Sequence, residues 1–425
     1  MATRTISDVG DINLSSIQFW GRSLEDWAAA FKVLRAQEHP QLFAEPPSTW
    51  GAGAGYYALV RYADVLEADR NPEVFSSEPS GLTIADMPAE FNEYYGSLLN
   101  MDDPGHAQIR RIVSRSFTPR MMERISADLG TMVTEIIDEL IRSGPGEFVS
   151  RVSAPVPLNF INDMMGVARS SYELVLRCSN VVAAGYDPEY LGRTPRQQHL
   201  TFLRAGRDLK ELMAELGEHR RQHPTGDLAS ALVNANQDGE KFTDQQLASF
   251  FIILLVAGNE TVRNSISHGL RLLTDNPAQR ELLLSDLDHY LPGAIEEILR
   301  LSTPAMWMRR TVTRDHVMNG HQYKKGDKVL MFFWSANRDE TVFDRPEEFD
   351  ITRSPNPHQA FGGGPHYCLG AQLARMELKV LFKELLTRVP DIRSVGKPDR
   401  LLSNHVNGIK RMDCAFDASA ARSRA

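Results

Sequence analysis

The segment at residues 361–370, with the sequence FGGGPHYCLG, decides how the rest of this chain is interpreted. Cys368 follows three glycines and a proline and directly precedes residues 369–389, where apolar residues recur at helical spacing. The sulfur is therefore predicted to lie at a helix N-terminus, where free N–H groups and the helix dipole favour a thiolate. The glycines would let a flat ligand approach the backbone closely. A thiolate in this setting is a good ligand for a soft metal.

A lone cysteine is ordinarily a small buried apolar residue, and that interpretation of Cys368 competes with a metal ligand. Zinc requires three or four protein ligands, and neither Cys178 nor Cys414 has a metal-ligand spacing to Cys368. A metal that needs only one protein ligand fits the sequence better, which points to haem iron.

The spacing of Phe361, Gly364, His366, Cys368 and Gly370 resembles the haem-binding loop of the cytochromes P450, the haem-thiolate monooxygenases. Three further signatures, in the family's order, extend the resemblance over nearly the whole chain. It implies a mainly α fold with smaller β sheets (α+β) and a long central helix, with haem b (iron protoporphyrin IX) as cofactor and dioxygen as co-substrate. The loop residues that would contact the haem are Phe361, Gly362, His366, Cys368, the iron ligand, and Gly370.

Length and composition predict one large globular unit. The chain has 425 residues, 42% of them hydrophobic, and no linker divides it, so we expect a single domain over 1–425 with a loose arm at 1–17 and a disordered tail at 417–425. Three cysteines without framework spacing indicate a reducing, cytoplasmic location. The N-terminus lacks a signal-like apolar region, and the longest apolar run, 250–257, is far short of the ~20 residues of a membrane span, so a soluble protein is expected.

The net charge of −8 argues against nucleic acid as a partner, because phosphate binding usually requires a basic surface. The expected oligomeric state is a monomer. No flavin or iron–sulfur signature is present, so the resemblance implies that electrons come from a ferredoxin with its reductase. A basic patch for that partner could be formed by Arg111, Arg115, Arg375 and Lys379, although a merely solvated face is the alternative.

The second signature lies in a predicted long helix. Thr243 and Gln246 form a capping box, and helical periodicity then continues to Asn276, just before Pro277. Residues 250–256 are apolar all round, which is typical of a core helix, yet residues 257–261 read AGNET. A glycine, an acid and an alcohol in the driest part of a core helix conflict with its pattern, and such a conflict marks a site.

The resemblance assigns roles to this second signature. Ala257 and Gly258 would make room for dioxygen over the haem, and Glu260 and Thr261 would deliver protons to it. A hydrogen bond from the Thr261 hydroxyl to a helix carbonyl is the structural alternative, and the two roles can coexist.

A further signature is the helix predicted over residues 104–117, which carries His106 and Arg110 four apart on one face. Without the resemblance this pair would be a solvated face. The resemblance implies that His106 and Arg110 bind the haem propionates, together with His366 and with Arg310 or Arg309. Arginine suits this task because its guanidinium matches the geometry of a carboxylate.

The third signature is Glu297 and Arg300, three apart on a helix predicted to start near Pro292. In the family these residues form a buried ion pair that braces the haem loop, usually with an arginine as third partner. Here Glu348 occupies the position where many relatives have that arginine, so Arg353 is the predicted substitute.

Apolar residues at three places predict the substrate pocket. The first is a long mixed loop, 76–101, which we interpret as a lid and which includes Leu82 and Ile84. The second is the helix wall around Val256, and the third is Met306 with Trp307, although ordinary loop and core packing are the alternatives. Together these residues predict an apolar substrate.

These observations predict a monooxygenase that hydroxylates an apolar C–H bond. The AGNET segment, residues 335–340 (SANRDE) and residues 356–358 (NPH) look like the bacterial branch that hydroxylates terminal carbons of methyl-branched lipids and sterol side chains. A terpenoid or macrolide hydroxylase is the alternative. A haem-thiolate sensor or electron carrier, from another functional class, would have no need of the pair Glu260 and Thr261.

Overall fold

Helices form most of this computed structural model, which describes residues 6–46, 53–88, 91, 94–116, 119–235, 242–419 and 421, with the backbone alone at 115, 116, 119–122 and 124. The helices are α1 (Ile17–Trp20), α2 (Leu24–Arg35), α3 (Tyr62–Arg70), α4 (Gly105–Ser116), α5 (Pro119–Ser143), α6 (Pro155–Met165), α7 (Tyr172–Ala183), α8 (Pro188–Leu191), α9 (Pro195–Gln222), α10 (Leu228–Val233), α11 (Asp244–Asp275), α12 (Pro277–Ser285), α13 (Leu287–Ser302), α14 (Phe333–Ala336) and α15 (Ala371–Arg388). The strands are β1 (Gln41–Phe43), β2 (Tyr56–Leu59), β3 (Phe75–Ser76), β4 (Gly146–Glu147), β5 (Met308–Val312), β6 (His316–Met318), β7 (His321–Tyr323), β8 (Lys328–Met331), β9 (Arg393–Arg400) and β10 (Ile409–Ala415). The predicted α+β class with a long central helix is confirmed.

Helix α11 runs through the largest hydrophobic cluster and packs against α6, α7, α9 and α13. Its predicted capping box is confirmed, because Thr243 Oγ1 accepts a hydrogen bond from Gln246 N at 3.1 Å and Gln246 Oε1 accepts one from Thr243 N at 3.0 Å. Among the described residues this is the one helix long and apolar enough to cross a membrane, yet 61% of its apolar window is buried in the protein. Its hydropathy is therefore that of a core helix.

The main sheet has the strand order β1-β2-β8-β5-β3. β2 and β8 pair in parallel, with Tyr56 opposite Lys328, whereas β5 pairs antiparallel to β8, with Met308 opposite Met331. A parallel pair needs a long crossover, and here residues 60–327 supply it. A second sheet, β4-β10-β9, and the hairpin β6-β7 complete the β structure of the described ranges.

The N-terminal arm is packed, not loose as the sequence suggested. Within its described part, Ile6, Ile12 and Leu14 are buried in a cluster of aromatic residues from α1, α2 and the strand ends. The indole N–H of Trp20 donates to the carbonyl of Leu14 at 2.7 Å. The apolar side chains of the arm cover rings that would otherwise be exposed to water, which explains its order.

The tail predicted as disordered is also partly ordered. The backbone N–H of Asp417 donates to Asp391 Oδ2 at 2.7 Å, and Ala421 packs against the main cluster. Residues 420 and 422–425 lie outside the described part of the chain.

The predicted lid, 76–101, lies over α9. The Tyr95 hydroxyl donates to the carbonyl of Phe202 at 3.0 Å, and the two rings are 4.6 Å apart. Gly206 allows this contact, because a Cβ there would lie 2.9 Å from Tyr94 and from the Tyr95 hydroxyl. Lid residues 89, 90, 92 and 93 lie outside the described ranges.

Helix α13 begins earlier than predicted. It starts at Leu287, where Asp286 Oδ1 caps the N–H of His289 at 3.1 Å, and Pro292 lies inside it. The prediction was wrong because proline is common at helix starts, whereas here the upstream cap residue Asp286 fixes the first turn.

Candidate active site

A cavity of about 250 Å³ lies between α11 and the segment 360–370. Most of its wall is apolar, with contributions from α6, α11 and the start of β5. One stripe of α11 faces it, with the spacing expected for one side of a helix: Phe250, Ile253, Leu254, Ala257, Gly258, Thr261, Val262 and Ser265. The cavity therefore brings the first two sequence signatures together.

Cys368 lines the cavity, as do Phe361, Gly362 and Gly370. The N–H of Cys368 donates to the carbonyl of Phe361 at 2.9 Å, which closes the loop upon itself. Burial raises the pKa of the Cys368 thiol, and a hydrogen bond from the Gly370 backbone opposes that effect. Gly370 is the N-cap residue of α15, so the hydrogen bond that favours the thiolate comes from the N-terminus of this helix.

The other two cysteines, Cys178 and Cys414, are buried elsewhere. Within the described ranges no group of three or more His, Cys, Asp or Glu side chains could hold a metal ion. A metal at Cys368 would have to bring its other ligands with it, which is what haem does.

Thr261 and Glu260 point in different directions. The Thr261 hydroxyl faces the cavity and donates to the Ala257 carbonyl at 2.8 Å. Glu260 is absent from the lining and is 2% exposed, and its carboxylate lies 2.7 Å from Arg263 Nη2. Arg263 in turn donates to Asn180 Oδ1 at 2.7 Å. Successive residues of a helix point about 100° apart, so adjacent side chains cannot share one direction.

Burial raises the pKa of Glu260, and the neighbouring Arg263 opposes that rise.

Val256 lies four residues before Glu260, off the cavity stripe of α11. It packs in the helical core, so the prediction of Val256 as a pocket residue was wrong.

Arginine and histidine side chains gather at one end of the cavity. Arg110, which donates to the carbonyl of Tyr367 at 2.6 Å, lines it together with Arg310 and His366. His106 lies just behind, with its ring centroid 4.2 Å from that of His366. Burial and the nearby Arg310 lower the pKa of His366 to about 3, and burial also lowers the pKa of His106.

Of the two candidate arginines, Arg309 and Arg310, the second one reaches the cavity. Arg309 turns to the lid, where it donates to the Ile84 carbonyl at 3.0 Å and to Asp86 Oδ1 at 2.6 Å. Arg310 lines the cavity and is paired with Asp69, at 2.8 Å between Arg310 Nη2 and Asp69 Oδ1. Alternation along β5 accounts for the difference, because neighbouring side chains in a strand point to opposite faces.

Four other predicted pocket residues do not line the cavity. Ile84, Met306 and Trp307 pack in the aromatic cluster below the main sheet, and the Trp307 indole donates to the Asn404 carbonyl at 2.7 Å. Leu82 also lies outside the lining. The same two segments contribute other residues instead: Leu98, Leu99, Pro304, Ala305 and Met308. The composition of each segment indicated a pocket, but it could not indicate which side chains face it.

Glu297, Arg300 and Arg353 meet in the interior. Arg300 binds Glu297 through two hydrogen bonds, at 2.7 and 2.8 Å, and also donates to carbonyls at Asn337, Pro346 and Glu348. Arg353 Nε donates to Glu297 Oε1 at 3.1 Å. This cluster fixes the segment that leads into residues 360–370.

A second brace was missed by the sequence analysis. Arg375 binds Glu296 at 2.6 and 2.8 Å, and its guanidinium lies 4.5 Å from the Phe361 ring. His358 Nε2 lies 2.9 Å from the same carboxylate. Although burial opposes it, hydrogen bonds from Arg375 and His358 lower the pKa of Glu296 to about 2. Arg375 therefore helps to hold the haem loop. Glu296 and Glu297 are adjacent in the sequence, and no local pattern indicated that both carboxylates would brace this loop.

The residues at this cavity fit a haem. Cys368 and Thr261 both line this largely apolar space, and Arg110 and Arg310 supply cations for two propionates. His106 Nε2 is buried without a hydrogen-bond partner among the described residues. Such an orphaned atom is typical of a site whose ligand supplies the missing bond.

Comparison with known proteins agrees with this geometry. The sequence profile of the family described as Cytochrome P450 matches residues 70–389. The chain belongs to the cytochrome P450 family. It is therefore a haem-dependent, dioxygen-using monooxygenase, and the predicted enzyme class is confirmed.

Named relatives of this cytochrome P450 are similar over nearly their whole length. The methyl-branched lipid omega-hydroxylase of Mycobacterium tuberculosis (strain H37Rv) is 41% identical over 410 residues, covering 95% of this chain and 94% of the relative. The steroid C26-monooxygenase of Mycolicibacterium smegmatis is 38% identical over 396 residues, covering 92% and 90%. Among solved structures, the Mycobacterium marinum cytochrome P450 CYP268A2 in complex with pseudoionone has a TM-score of 0.89 and 39% identity, covering 98% of this chain and 100% of that one.

Proposed function

We propose that this cytochrome P450 hydroxylates the terminal carbon of a methyl-branched lipid or of a sterol side chain. The observation that carries the proposal is the apolar wall of the cavity above Cys368. Ionisable residues in the lining are confined to Cys368, to Glu377 and to the end that holds Asp69, Arg110, Arg310 and His366. The reacting end of the substrate therefore meets hydrocarbon, methionine and aromatic side chains. The printed names of two relatives, omega-hydroxylase and C26-monooxygenase, support a chain terminus as the target.

Haem b is the proposed cofactor. Cys368 would hold the iron, and Arg110, Arg310, His366 and His106 would hold the propionates, with the unpartnered Nε2 of His106 as one donor. When bound, the haem supplies the oxidation of the C–H bond by dioxygen. The remaining work of the protein is to orient the substrate, to exclude water and to time the protons.

Each turnover uses one dioxygen, two electrons and two protons, and it yields the alcohol and one water. Thr261 places a hydroxyl at the cavity surface, where it can pass a proton inward. Glu260 is the proposed source of that proton. Its carboxyl would have to turn from Arg263 toward Thr261, and burial favours the protonated form that can then donate.

The proposed electron donor is a ferredoxin with its reductase, and the proposed state is a cytoplasmic monomer. Arg111 and Lys379 are exposed and remain candidates for the docking patch. Arg375 is withdrawn from that patch because Glu296 binds it, and the side chain of Arg115 lies outside the described part of the chain.

The test is a titration of the haem spin state with ligand pairs that differ in one feature. A methyl-branched fatty acid and its linear counterpart of equal chain length form one pair. A sterol ketone with its full side chain and one without it form the other. We expect a low-spin to high-spin change with the branched acid and with the full side chain, and hydroxylation at the chain terminus in a reaction driven by a surrogate ferredoxin and reductase.

A macrolide and a cyclic terpene complete the panel. Tight binding of only one of these, or oxidation at a ring carbon and never at a chain end, would overturn the substrate proposal.

A further inference from the structure

The haem loop rests on a buried carboxylate that belongs to none of the sequence signatures. Asp69 lies in the last turn of α3 and is 3% exposed. Its Oδ1 accepts a hydrogen bond from Arg310 Nη2 at 2.8 Å, and its Oδ2 accepts one from the backbone N–H of Gly363. Asp69 also lines the cavity. One carboxylate thus joins three elements: α3, β5 and the haem loop.

The glycine run of the loop is fitted to this residue. A Cβ on Gly364 would lie 2.1 Å from the Asp69 carbonyl, and Gly364 has a φ of +55°. Cβ atoms on Gly362 and Gly363 would lie 3.3 and 3.4 Å from Asp69 Oδ2. At Gly364 in particular the backbone requires glycine because α3 approaches it, whereas the sequence analysis attributed the run to the approach of a flat ligand.

Asp69 also fixes the arginine that faces the propionates. Arg310 Nη1 donates to the carbonyl of Arg309 at 2.9 Å and Nη2 donates to Asp69, so two of the five guanidinium N–H donors are held by protein. Its plane is thereby set. The remaining donors are left for a ligand in the cavity that Arg310 lines.

The charge of Asp69 acts on the same site. Arg110 and Arg310 are the two arginines among the described lining residues. Arg310 forms an ion pair with Asp69. A buried negative charge near a metal stabilises the more positive oxidation state, because little water is present to screen it.

We propose that Asp69 is a positioning residue for the haem: it aligns Arg310 with a propionate, ties the haem loop to α3 and, through its charge, favours the ferric over the ferrous state of the iron. The proposal rests on haem binding, which is a property of the family, and it is independent of the substrate.

The test compares two substitutions at Asp69 with matched changes at Asp64. Asp64 lies in the same helix, is 4% exposed and binds Asn319, and it is absent from the cavity lining. Asp69→Ala removes both hydrogen bonds, and Asp69→Asn keeps one acceptor oxygen but removes the charge. Two quantities are measured on each holoprotein: the rate of haem transfer to apomyoglobin and the midpoint potential of the ferric/ferrous couple.

We expect Asp69→Ala to lose haem about tenfold faster than Asp64→Ala, a factor equal to about 1.4 kcal/mol. Asp69→Asn should restore part of the haem retention, and its midpoint potential should move in the positive direction while that of Asp64→Asn stays at the wild-type value. If neither Asp69→Ala nor Asp69→Asn folds, Asp69→Glu replaces them in the test. It keeps the charge, so its midpoint potential should be unchanged, but it should lose haem faster than the wild type. Haem loss and potential that match those of the Asp64 variants in every case would overturn the proposal.

Discussion

At the scale of single residues, Glu377 is a carboxyl group in a position where ionisation is least favourable. It lies on α15, is 3% exposed and lines the cavity beneath the haem loop. Its Oε2 has no hydrogen-bond partner among the described residues, and burial raises the pKa well above its ordinary value. Burial therefore favours the protonated form of this side chain in the folded protein.

We predict that Glu377→Gln increases the free energy of unfolding at neutral and higher pH by more than about 1 kcal/mol. In the unfolded chain the carboxyl ionises above about 4.5, its ordinary pKa, whereas the folded protein keeps the proton to a higher pH. Stability contributed by this group is thus complete below the unfolded pKa and is lost as the pH rises toward the folded one. Glutamine cannot ionise, so that loss disappears. Urea unfolding at several pH values measures the free energy of unfolding of the wild type and the variant.

Glu281→Gln is the control, because Glu281 is exposed on α12. It should leave the wild-type pH dependence in place. A Glu377→Gln protein whose stability falls with pH as steeply as the wild type would show that Glu377 is ionised in the fold.

Thr261→Ala should bind haem and substrate normally but form product at least roughly tenfold less often per electron pair, with hydrogen peroxide released instead. The reason is that the variant lacks the hydroxyl that faces the cavity. Product and peroxide are measured against NADPH consumed.

The control for this experiment is Thr274→Ala. Thr274 is on the same helix and makes the same kind of bond, to the carbonyl of Leu270 at 2.7 Å, but it lies outside the cavity lining. Equal coupling in the two variants would remove Thr261 from proton delivery.

At the scale of elements, the turn before α8 is fastened to the hairpin formed by β9 and β10. Asp187 Oδ2 accepts the N–H of Leu402 at 3.1 Å and lies 3.0 Å from Lys410 Nζ. Lys410 also binds Glu189 at 2.9 Å, and its side chain is only 10% exposed. A turn with the sequence Gly-Tyr-Asp-Pro, as at 185–188, can act as a hinge, and here charged side chains hold it to the hairpin.

Lys410→Met should speed substrate association by roughly threefold or more, because a conformational step that limits binding becomes easier. Stopped-flow recording of the spin-state change gives the rate. Lys324→Met, which removes an exposed ion pair with Asp315 at 2.9 Å, is the matched control and should leave the rate unchanged. Equal association rates for wild type and Lys410→Met would mean that this turn does not gate entry.

The elements also show what a sequence can and cannot predict. The capping box and apolar period of α11, and the loop around Cys368, are carried by contiguous residues, so local rules identified them. The sequence pattern did not predict that Glu260 points away from the cavity. Helical periodicity places adjacent residues about 100° apart, but it does not show which of them faces the cavity. Asp69 was missed for another reason: its partners Gly363 and Arg310 are 294 and 241 residues away, and no local pattern marks such a pair.

At the scale of the whole molecule, the net charge of −8 makes any basic surface a local exception. Arg111 and Lys379 are exposed, and Lys379 lies on α15, which follows Cys368. An acidic ferredoxin would be attracted to such a patch at low ionic strength and less so as salt screens the charges.

We predict that the double variant Arg111→Glu and Lys379→Glu lowers the rate of reduction by the ferredoxin roughly tenfold at low salt and removes most of its salt dependence. The double control Lys324→Glu and Lys325→Glu changes the net charge equally, in the turn after β7. Identical rates and salt slopes in the two double variants would place the docking surface elsewhere.

The contact between Asp69 and Gly363 also dictates when the cofactor can enter. These residues are 294 positions apart, and at about 5–20 residues per second a ribosome needs about 15 to 60 s to make the chain between them. Until then α3 has no loop to support, and β2 lacks its parallel neighbour β8. A nascent chain therefore cannot hold haem as the finished protein does. We therefore expect cofactor loading to follow synthesis of the chain at least as far as Gly363.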